Sequence, residues 1–277
     1  MTFKIDLHCH SLVSDGALSP SQLIERAAGQ QVTDIALTDH DTTDGLAEAK
    51  SAAQQHGINL IHGIELSTSW NNKCFHVVGA NIDPDYPPLQ EGIKELRKIR
   101  NDRAEKMAAK LAKKGIPDAM TAVTKKAGLG MITRTHFADF LVGGGYVTTM
   151  QGAFDQYLAK GKPAFVSTRW TELECAISWI TEAGGVAILA HPLRYKLTAS
   201  WLRRLLTAFK ATGGLGIEVV TGRNNPDEIR KASYFAEKFE LYGSVGSDFH
   251  SPKNPWVELG RLAPLPNNIK PVWELFG

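Results

Sequence analysis

The sequence predicts an α/β fold, with a mostly parallel β-sheet or barrel and helices on its outside. Two observations predict this fold class. Short apolar segments typical of buried strands alternate with longer segments in which apolar residues recur as they do in amphipathic helices. The alternation stops near residue 87, where helical segments follow one another, and it resumes after residue 163. The interruption indicates a helical insertion within the α/β domain.

The first part of the chain contains four predicted strands and two predicted helices. The strands cover residues 3–8, 33–40, 58–67 and 73–82, and the helices cover residues 19–30 and 44–57. Ser19 and Pro20 are favourable at a helix N-cap and first turn, and Gly57 is favourable at a helix end. Asn71 and Asn72 separate the third and fourth strands and predict a hairpin.

The rest of the chain is predicted to be helical first and alternating afterwards. Helices are expected over 87–114, 118–127, 135–142 and 149–160, and the segment "PAFV" at 163–166 is expected to return to the sheet. Helices 171–183, 199–211 and 226–239 then alternate with strands 186–191, 215–220 and 241–250. The predicted domains are an α/β domain of residues 1–98 and 163–277 and a helical, substrate-capping insertion of residues 99–162.

The composition is that of a folded globular protein, with 277 residues of which 43% are hydrophobic and 22% are charged. The net charge of +2 excludes a strongly basic nucleic-acid-binding protein. The three cysteines form no CxxC pair, which argues against a disulfide framework. No apolar segment approaches the roughly 20 residues needed to cross a bilayer. We therefore expect a soluble, cytoplasmic protein with neither membrane association nor an obligate protein partner.

Residue types that bind metal ions cluster at the predicted strand ends. In chain order they are His8, His10, Asp15, His40, Glu65, His76, His191, Asp248 and His250. The carboxyl ends of parallel strands meet at one face of a barrel, so these side chains are expected to lie together. Burying so many ionisable groups is costly unless a cation compensates them. Mixed imidazole and carboxylate donors suit Mn, Fe or Zn, and the set is large enough for two or three ions that share a bridging carboxylate.

The stretch "DLHCHSLVSDG" at residues 6–16 allows three interpretations: incidental polar residues, a Cys/His zinc cluster, or part of a larger metal site. Alternation along a strand places His8 and His10 on one side and Cys9 on the other, where it is expected to pack as a buried thiol. The same alternation pairs Asp248 with His250. These arguments favour the larger metal site over a zinc cluster.

Two further residues are judged by the same alternation. His62 lies three positions from Glu65, so it is expected to point elsewhere and to be structural. Cys74 lies two positions from His76, so a ligand role for its thiol stays open.

The motifs resemble those of the polymerase and histidinol phosphatase family, called PHP. The matching segments are "DLHCHS", "LTDHD", "GIEL" with the downstream His76, "LAHP" and "GSDFH". The resemblance implies a distorted (β/α)7 TIM-like barrel with three metal ions, with Mn²⁺ expected and Fe, Zn or Mg as alternatives. It implies His8, His10, Glu65 and Asp248 around one ion, Glu65, His76 and His191 around a second, and Asp15, His40 and His250 around a third.

Other segments resemble one branch of this family. "TRTHFADFLV" (133–142), "YLAKGKPAFV" (157–166) and "AHPLRYKLT" (190–198) are similar to enzymes that hydrolyse nucleoside 3′,5′-bisphosphates and act as 5′-3′ exoribonucleases on short 5′-phosphorylated RNA and ribosomal RNA 5′ ends. The similarity implies that Arg134, Thr135 and Arg194 bind substrate phosphate, and guanidinium groups match phosphate oxygens. Arg194 follows His191 closely and is expected at the rim of the site. A solvated surface role for Arg134 stays open, and His136 is either a core-facing residue or a substrate contact.

The expected reaction is metal-assisted hydrolysis of the bond between phosphorus and a 3′-oxygen. Asp248 and His191 are the expected catalytic residues, with the Asp248 carboxylate as the acceptor of a proton from the attacking water. Hydrolysis of adenosine 3′,5′-bisphosphate (pAp) yields a 5′-mononucleotide and phosphate. Hydrolysis of 5′-phosphorylated RNA releases the first nucleotide and leaves a new 5′-phosphate.

Two other functions are considered. One is a small-molecule phosphomonoesterase of the histidinol-phosphatase type, and the other is a noncatalytic, metal-stabilised PHP module, against which the complete ligand set counts. The helical segment 91–114 carries nine Lys or Arg against four Asp or Glu, which fits either a guide for RNA or an ordinary solvated helix. Four tryptophans are candidates for base stacking or for packing: Trp70, Trp170, Trp201 and Trp256.

Overall fold

The computed structural model describes residues 4–128 and 130–277. Within these residues the strands are β1 (Ile5–Cys9), β2 (Asp34–Leu37), β3 (Asn59–Trp70), β4 (Lys73–Ala80), β5 (Thr171–Glu172), β6 (Val186–Leu189), β7 (Gly216–Thr221) and β8 (Tyr242–Gly246). Seven of them form a nearly closed barrel in the order β1-β2-β3-β4-β6-β7-β8, and β5 pairs with β3 beside it. The predicted α/β class and distorted (β/α)7 barrel are confirmed.

Helices lie on the outside of the barrel and in a block between β4 and β5. They are α1 (Pro20–Gly29), α2 (Leu46–His56), α3 (Pro87–Ala112), α4 (Ala119–Ala127), α5 (Arg134–Gly143), α6 (Met150–Ala153), α7 (Leu173–Glu182), α8 (Ala199–Ala211) and α9 (Pro226–Lys238). A π-helical turn covers Phe154–Leu158, and 3-10 turns cover Pro192–Tyr195 and Val272–Leu275. Ser19 caps α1 by accepting from the Gln22 backbone N–H, and Pro20 begins the helix, as predicted.

The distortion of the barrel comes from β4, which runs antiparallel to both of its neighbours, β3 and β6. The predicted hairpin between β3 and β4 is confirmed, and its turn residues Asn71 and Asn72 both have left-handed backbones, with φ of 46° and 58°. Asparagine tolerates this conformation better than most residues, and two such residues in sequence twist a two-residue turn in the same sense as the strands. The hairpin therefore replaces one strand–helix crossover.

The barrel closes where the chain beyond β8 meets β1. The Asp248 N–H donates to the His8 carbonyl at 2.7 Å, and the His10 N–H donates to the Phe249 carbonyl at 2.9 Å. The buried Asp6 carboxylate accepts from the Ser247 N–H at 2.8 Å. These bonds bring the last strand end against the first, so residues from both ends of the chain meet at one barrel mouth.

Three predicted elements differ from the structure. The segment 163–166 is not a strand, because Ala164 and Val166 pack against the helical block instead, and the sheet resumes only at β5. The predicted helix 149–160 is interrupted, with α6 giving way to the π-helical turn. The predicted strand 241–250 ends at Gly246, because Asp248 has a left-handed backbone that an extended strand does not accommodate.

The interior consists of separate hydrophobic clusters. The largest fills the barrel and its contacts with α7, α8 and α9. A second cluster lies among α3, α4, α5 and α6, with members from Ala104 to Ala164. This separation supports the division into an α/β domain of residues 1–98 and 163–277 and an insertion of residues 99–162, which stays a prediction.

None of the helices in the described ranges combines the length and apolar character needed to cross a membrane.

Candidate active site

The end of β1 supplies two buried histidines to the barrel mouth. His8 and His10 project to the same side, and their Nε2 atoms are 3.0 Å apart. Cys9 projects to the other side, where its thiol donates to the Ala36 carbonyl and packs in an apolar cluster. The alternation predicted for this stretch is therefore confirmed, and the thiol takes no part in the site.

Glu65 lies at the centre of the site and is surrounded by imidazoles. Its Oε1 is 3.0 Å from both His76 Nδ1 and His191 Nε2, and its Oε2 is 2.8 Å from His40 Nδ1. The same Oε2 lies 3.4 Å from the Nε2 atoms of His8 and His10. Both oxygens of one buried carboxylate therefore face several nitrogen donors, which is the arrangement expected of a bridging ligand.

Two aspartates complete the ring around Glu65. Asp248 Oδ1 lies 3.3 Å from His10 Nε2 and 3.5 Å from His250 Nδ1, and Asp248 also pairs with the Arg194 guanidinium. Asp15 Oδ1 lies 3.4 Å from His250 Nε2, and its Oδ2 accepts from the Thr135 hydroxyl at 2.9 Å. All nine residues predicted to bind metal are thus brought to one mouth of the barrel.

Ligand atoms converge in three overlapping groups, each with its atoms within 4.8 Å of one another. The groups are His8, His10 and Glu65; His40, Glu65 and His76; and His10, Asp15, His40 and His250. They differ in part from the sets implied by resemblance, because His40 joins Glu65 and His76 while His191 and Asp248 stand just outside the groups. The assignment of residues to individual ions stays a prediction.

Several buried polar atoms here fit a cation. Within the described ranges, Asp15 Oδ1, His40 Nδ1 and Glu65 Oε2 have no hydrogen-bond partner, because the close His40–Glu65 pair is not aligned for one. Orphaned buried polar atoms are costly, and a cation bound by these atoms would offset that cost. The donor set is imidazole and carboxylate with no thiolate, which suits Mn, Fe or Zn.

Electrostatics keep the carboxylates ionised. Burial raises the pKa of Glu65, but the charges of the surrounding imidazoles, His76 and His8 among them, outweigh it and hold that pKa well below its usual value. Burial likewise opposes ionisation of Asp248, and Arg194 and His8 outweigh it, so its pKa is also well below the usual value. Burial lowers the pKa of His40 to about 4, so this imidazole is neutral and free to bind a metal through a nitrogen lone pair.

Glu218 is a residue of the candidate site that the sequence-based prediction missed. It is buried on β7, its Oε1 accepts from His8 Nδ1 at 2.5 Å, and its Oε2 accepts from the His191 backbone N–H at 2.5 Å. A carboxylate only accepts, so His8 Nδ1 carries the proton and its Nε2 presents a lone pair to the site. A glutamate inside the otherwise apolar strand "LGIEVV" was the signal that could have revealed it.

A cavity of about 490 Å³ extends from the candidate metal-binding residues toward the helical block. Asp15, His40 and His76 line one part of it, and Arg100, Arg103, Arg134, Lys73 and Lys160 contribute positive charge to its walls. Its size lies within the range of about 300–1,000 Å³ typical of small-molecule sites. The cavity therefore joins a candidate metal centre to a cationic chamber.

The predicted phosphate-binding residues lie at different places around the site. The Thr135 hydroxyl donates a hydrogen bond to Asp15. The neighbouring Arg134 lines the cavity with an exposed side chain. Arg194 lies in a 3-10 turn and pairs with Asp248, at the rim where it was expected. His136 is buried, and its Nδ1 accepts from the Thr133 N–H, so it caps α5 and faces the core.

The tryptophans, Cys74 and His62, which the sequence also suggested, differ in whether they line the cavity. Trp170 is buried and lines the cavity beneath Arg100 and Arg103, while Trp70 and Trp201 pack edge to face with ring centres 5.9 Å apart. Trp256 is 72% exposed. Cys74 lines the cavity but belongs to none of the three donor groups, and neither does His62.

Comparisons with known proteins agree with this geometry. A family model described as PHP domain matches residues 6–221. The chain is 45% identical over 276 residues to a 5′-3′ exoribonuclease of Haemophilus influenzae, covering 100% of both proteins. It is 44% identical over 272 residues to a 3′,5′-nucleoside bisphosphate phosphatase of Chromobacterium violaceum, covering 98% of this chain and 95% of that protein.

Solved structures show the same fold. One is a Chromobacterium violaceum protein described as an amidohydrolase with bound sulfate and no metal, with a TM-score of 0.94, 44% identity, and coverage of 98% of this chain and 95% of that chain. Another, from Bifidobacterium adolescentis and assigned as a metal-dependent phosphoesterase, has a TM-score of 0.83, 27% identity, and coverage of 98% and 94%. Since the family model matches more than half of the sequence and the curated relatives span nearly all of it, the chain belongs to the PHP domain family.

Proposed function

We propose that this protein is a metal-dependent phosphoesterase that removes the 3′-phosphate of nucleoside 3′,5′-bisphosphates such as pAp. The observation that carries the proposal is the convergence of histidines and carboxylates around Glu65 at one end of a cavity with cationic walls. Such a cavity suits a small substrate with more than one negative group. The name of the Chromobacterium violaceum relative, a 3′,5′-nucleoside bisphosphate phosphatase, supports nucleotide bisphosphates as the substrate class.

The same site is proposed to act as a 5′-3′ exoribonuclease on short 5′-phosphorylated RNA and on ribosomal RNA 5′ ends. In both substrates the broken bond joins phosphorus to a 3′-oxygen, so a single arrangement of groups serves both reactions. Relatives with 45% and 42% identity are named 5′-3′ exoribonucleases, which supports this second activity.

We propose that the site holds three metal ions, with Mn²⁺ favoured and Fe, Zn or Mg as alternatives. The proposed ligands are His8, His10, Glu65 and Asp248 for one ion, Glu65, His76 and His191 for the second, and Asp15, His40 and His250 for the third. When bound, the ions supply positive charge for the phosphoryl oxygens and lower the pKa of a water molecule. Five histidine side chains surround the Glu65 carboxylate, which supports its proposed role as the ligand shared by two ions.

Asp248 and His191 are the proposed catalytic residues. The Asp248 carboxylate is ionised, buried and held by Arg194, so it is placed to accept a proton from the attacking water. Both residues have left-handed backbones, with φ of 55° and 31°. Such conformations are costly for residues other than glycine and concentrate at functional sites. The presence of two such backbones at the strand ends supports a requirement for these side-chain directions.

Arg134, Thr135 and Arg194 are the proposed partners of the reacting phosphate. Thr135 bonds the proposed ligand Asp15, which places the adjacent Arg134 beside the metal-binding end of the cavity. Arg134 and Thr135 begin α5, so the proposed insertion of residues 99–162 contributes directly to substrate binding. This arrangement supports its role as a cap over the substrate.

The three free cysteines support the proposed cytoplasmic location.

Turnover by manganese-loaded protein tests the proposed function. We expect kcat/KM for phosphate release from pAp to exceed that from histidinol phosphate by about 100-fold or more, because only the bisphosphate has a second anion for the cationic wall. A 5′-phosphorylated oligoribonucleotide should lose its first nucleotide. Comparable rates on pAp and histidinol phosphate contradict the substrate class, and absence of all turnover supports the noncatalytic module.

Matched variants connect that turnover to the site. Glu65→Gln should abolish it, because the amide cannot replace a bridging carboxylate. His56→Gln is the control, because His56 is exposed at the end of α2. Equal activity of the two variants would show that the proposed metal centre does not take part in the reaction.

A further inference from the structure

The surface beside the cavity carries an aromatic cluster made by the β3–β4 hairpin and α8. Trp70 at the end of β3 and Trp201 in the first turn of α8 are partly buried, with ring centres 5.9 Å apart. Lys73 Nζ lies 5.2 Å from the centre of a Trp201 ring, and Arg204 Cζ lies 4.9 Å from it. One indole thus holds two cations from two different elements. We call these four residues the hairpin–α8 surface.

The cations of this surface have no anionic partner. Lys73, Arg204 and Lys196, which precedes α8, are exposed, and among residues 4–128 and 130–277 none of their side chains makes a hydrogen bond or an ion pair. Lys210, near the other end of α8, differs, because it pairs with Glu240 at 2.7 Å. The charges beside Trp201 are therefore available to a ligand, whereas that of Lys210 is already compensated.

The sequence around this surface keeps one sign of charge. Residues 191–217, which include α8, contain five Lys or Arg and no Asp or Glu. Residues 66–80, which form most of the hairpin, contain one Lys and no Asp or Glu. A solvated face usually mixes both signs, and a basic patch along a helix is typical of a surface that binds a polyanion.

The hairpin–α8 surface continues directly from the cavity. Lys73 and Leu197 both line the cavity, and Leu197 precedes the start of α8 by two residues. On β4, Lys73 lies three residues before the proposed ligand His76, which is about 10 Å along an extended strand. An extended chain that leaves the candidate metal centre can therefore reach this surface within a few nucleotides.

We propose that the hairpin–α8 surface binds the downstream part of a 5′-phosphorylated RNA, the nucleotides on the 3′ side of the broken bond. This inference rests on the proposed function. A nucleoside bisphosphate has the size of ligand that a cavity of about 490 Å³ accommodates, whereas an oligoribonucleotide exceeds it, so the rest of the RNA must lie outside. Exposed cations bind the phosphates of such a chain without reading its sequence. A free bisphosphate does not reach this surface.

The test compares a 5′-phosphorylated octaribonucleotide with pAp. We expect Arg204→Gln to lower kcat/KM for the octaribonucleotide by about 3- to 10-fold, as for loss of one exposed charge-assisted contact, and to leave that for pAp within about twofold. The dependence of log(kcat/KM) for the RNA on log salt concentration should become shallower by about 0.7, the value for one phosphate contact with a single strand. Arg204→Lys should retain most of the activity, because it keeps the charge.

Trp201 supplies a second variant. Trp201→Leu removes the ring that holds both cations, so it should also lower kcat/KM for the RNA and spare that for pAp. Trp201→Phe should restore most of the loss, because it keeps an aromatic face.

Lys50→Gln is the matched control, because Lys50 is exposed on α2 and its loss changes the net charge equally. It should change neither rate. Equal losses of Arg204→Gln on pAp and on the RNA, or unchanged kinetics on the RNA, overturn the proposal. Because Arg204 is exposed, its replacement should leave Tm unchanged, which thermal unfolding checks.

Binding measurements separate this inference from the proposed function. The probe is an octaribonucleotide whose first linkage is a noncleavable phosphonate, added to metal-loaded protein and followed by fluorescence anisotropy. Arg204→Gln should bind it about 3- to 10-fold more weakly than the wild-type protein does. Equal binding by the two proteins, or no binding by either, overturns the proposal. If the wild-type protein hydrolyses neither pAp nor RNA, the proposed function fails, while this binding difference still decides the role of the surface.

Discussion

Glu218 sets the geometry of the site without facing the cavity. One carboxylate oxygen holds the His8 ring, and the other holds the backbone of His191, whose φ is 31°. The first bond selects the ring nitrogen that carries the proton and so directs the other nitrogen toward Glu65. The second bond stabilises a backbone that is unfavourable for a residue with a side chain. Glu218 thereby orients two proposed ligands from different strands.

Replacement of Glu218 should weaken metal binding without removing a ligand. In Glu218→Gln the amide can present its NH2 group to His8 Nδ1 or to the His191 N–H, where only an acceptor fits. We expect metal affinity to fall by about 10- to 100-fold, as is usual when the partner of a ligating histidine is lost. A competitive titration against a chelator measures this. Glu174→Gln on the exposed face of α7 is the control, and equal affinity of the two variants contradicts the prediction.

The sequence revealed the proposed ligands but not the residues that support them. His40, Glu65 and Asp248 were visible because each is a ligand-type residue at a predicted strand end, and strand ends converge for topological reasons. Glu218 lies within a strand. Its proposed role depends on its contact with His8, which joins residues 210 positions apart. The apolar segment around Glu218 marks this residue as unusual, but the local pattern does not identify its contact with His8.

At the scale of elements, the close approach of β8 to β1 decides whether the site forms. A Cβ atom on Gly246 would lie 2.3 Å from His8 Cβ and 2.9 Å from the His8 backbone nitrogen. Glycine therefore permits the spacing at which the Asp248 N–H reaches the His8 carbonyl. The same approach brings the Asp248 carboxylate beside the imidazoles of His8 and His10.

A methyl group at Gly246 should push these two strands apart. We expect Gly246→Ala to lower the free energy of unfolding by about 1–3 kcal/mol, because the clash involves backbone that cannot rotate away. Metal affinity should fall as well, since Asp248 moves away from His8. Urea unfolding and metal titration measure the two effects. Gly29→Ala is the control, because a Cβ there meets nothing within 4 Å, and similar losses in both variants contradict the prediction.

One prediction at this scale had the expected outcome for a different physical reason. Asp248 and His250 were expected to share a face through strand alternation, but β8 ends at Gly246 and Asp248 has a φ of 55°. A turn, rather than an extended strand, directs both side chains inward, so that Asp248 Oδ1 lies 3.5 Å from His250 Nδ1. Strand order and helix positions follow from apolar periodicity, whereas such turns depend on the contacts that close the barrel.

At the scale of the whole molecule, the site gathers strand ends that are far apart in sequence. Proposed ligands come from β1, β3 and β4 and from the segments that follow β1, β2, β6 and β8. Asp15, Glu65 and Asp248 are buried and have pKa values well below their usual range, so their charges persist in the folded barrel. Cations bound among them would offset like-charge repulsion and connect the strands around the barrel.

Removal of metal should therefore destabilise the barrel as a unit. A ligand that binds only the folded state stabilises it by an amount that grows with its concentration over Kd, and a 100-fold excess corresponds to about 2.7 kcal/mol. For a protein of this size we expect chelation to lower Tm by about 5–10 °C in differential scanning calorimetry. His56→Gln should show the same shift, because that residue is exposed and remote from the site. Glu65→Gln should lose most of the shift, since its loss removes the carboxylate to which five imidazoles converge. An unchanged Tm of the wild-type protein after chelation would mean that the barrel mouth tolerates its buried charges without cations, and would contradict a structural contribution of the metal centre.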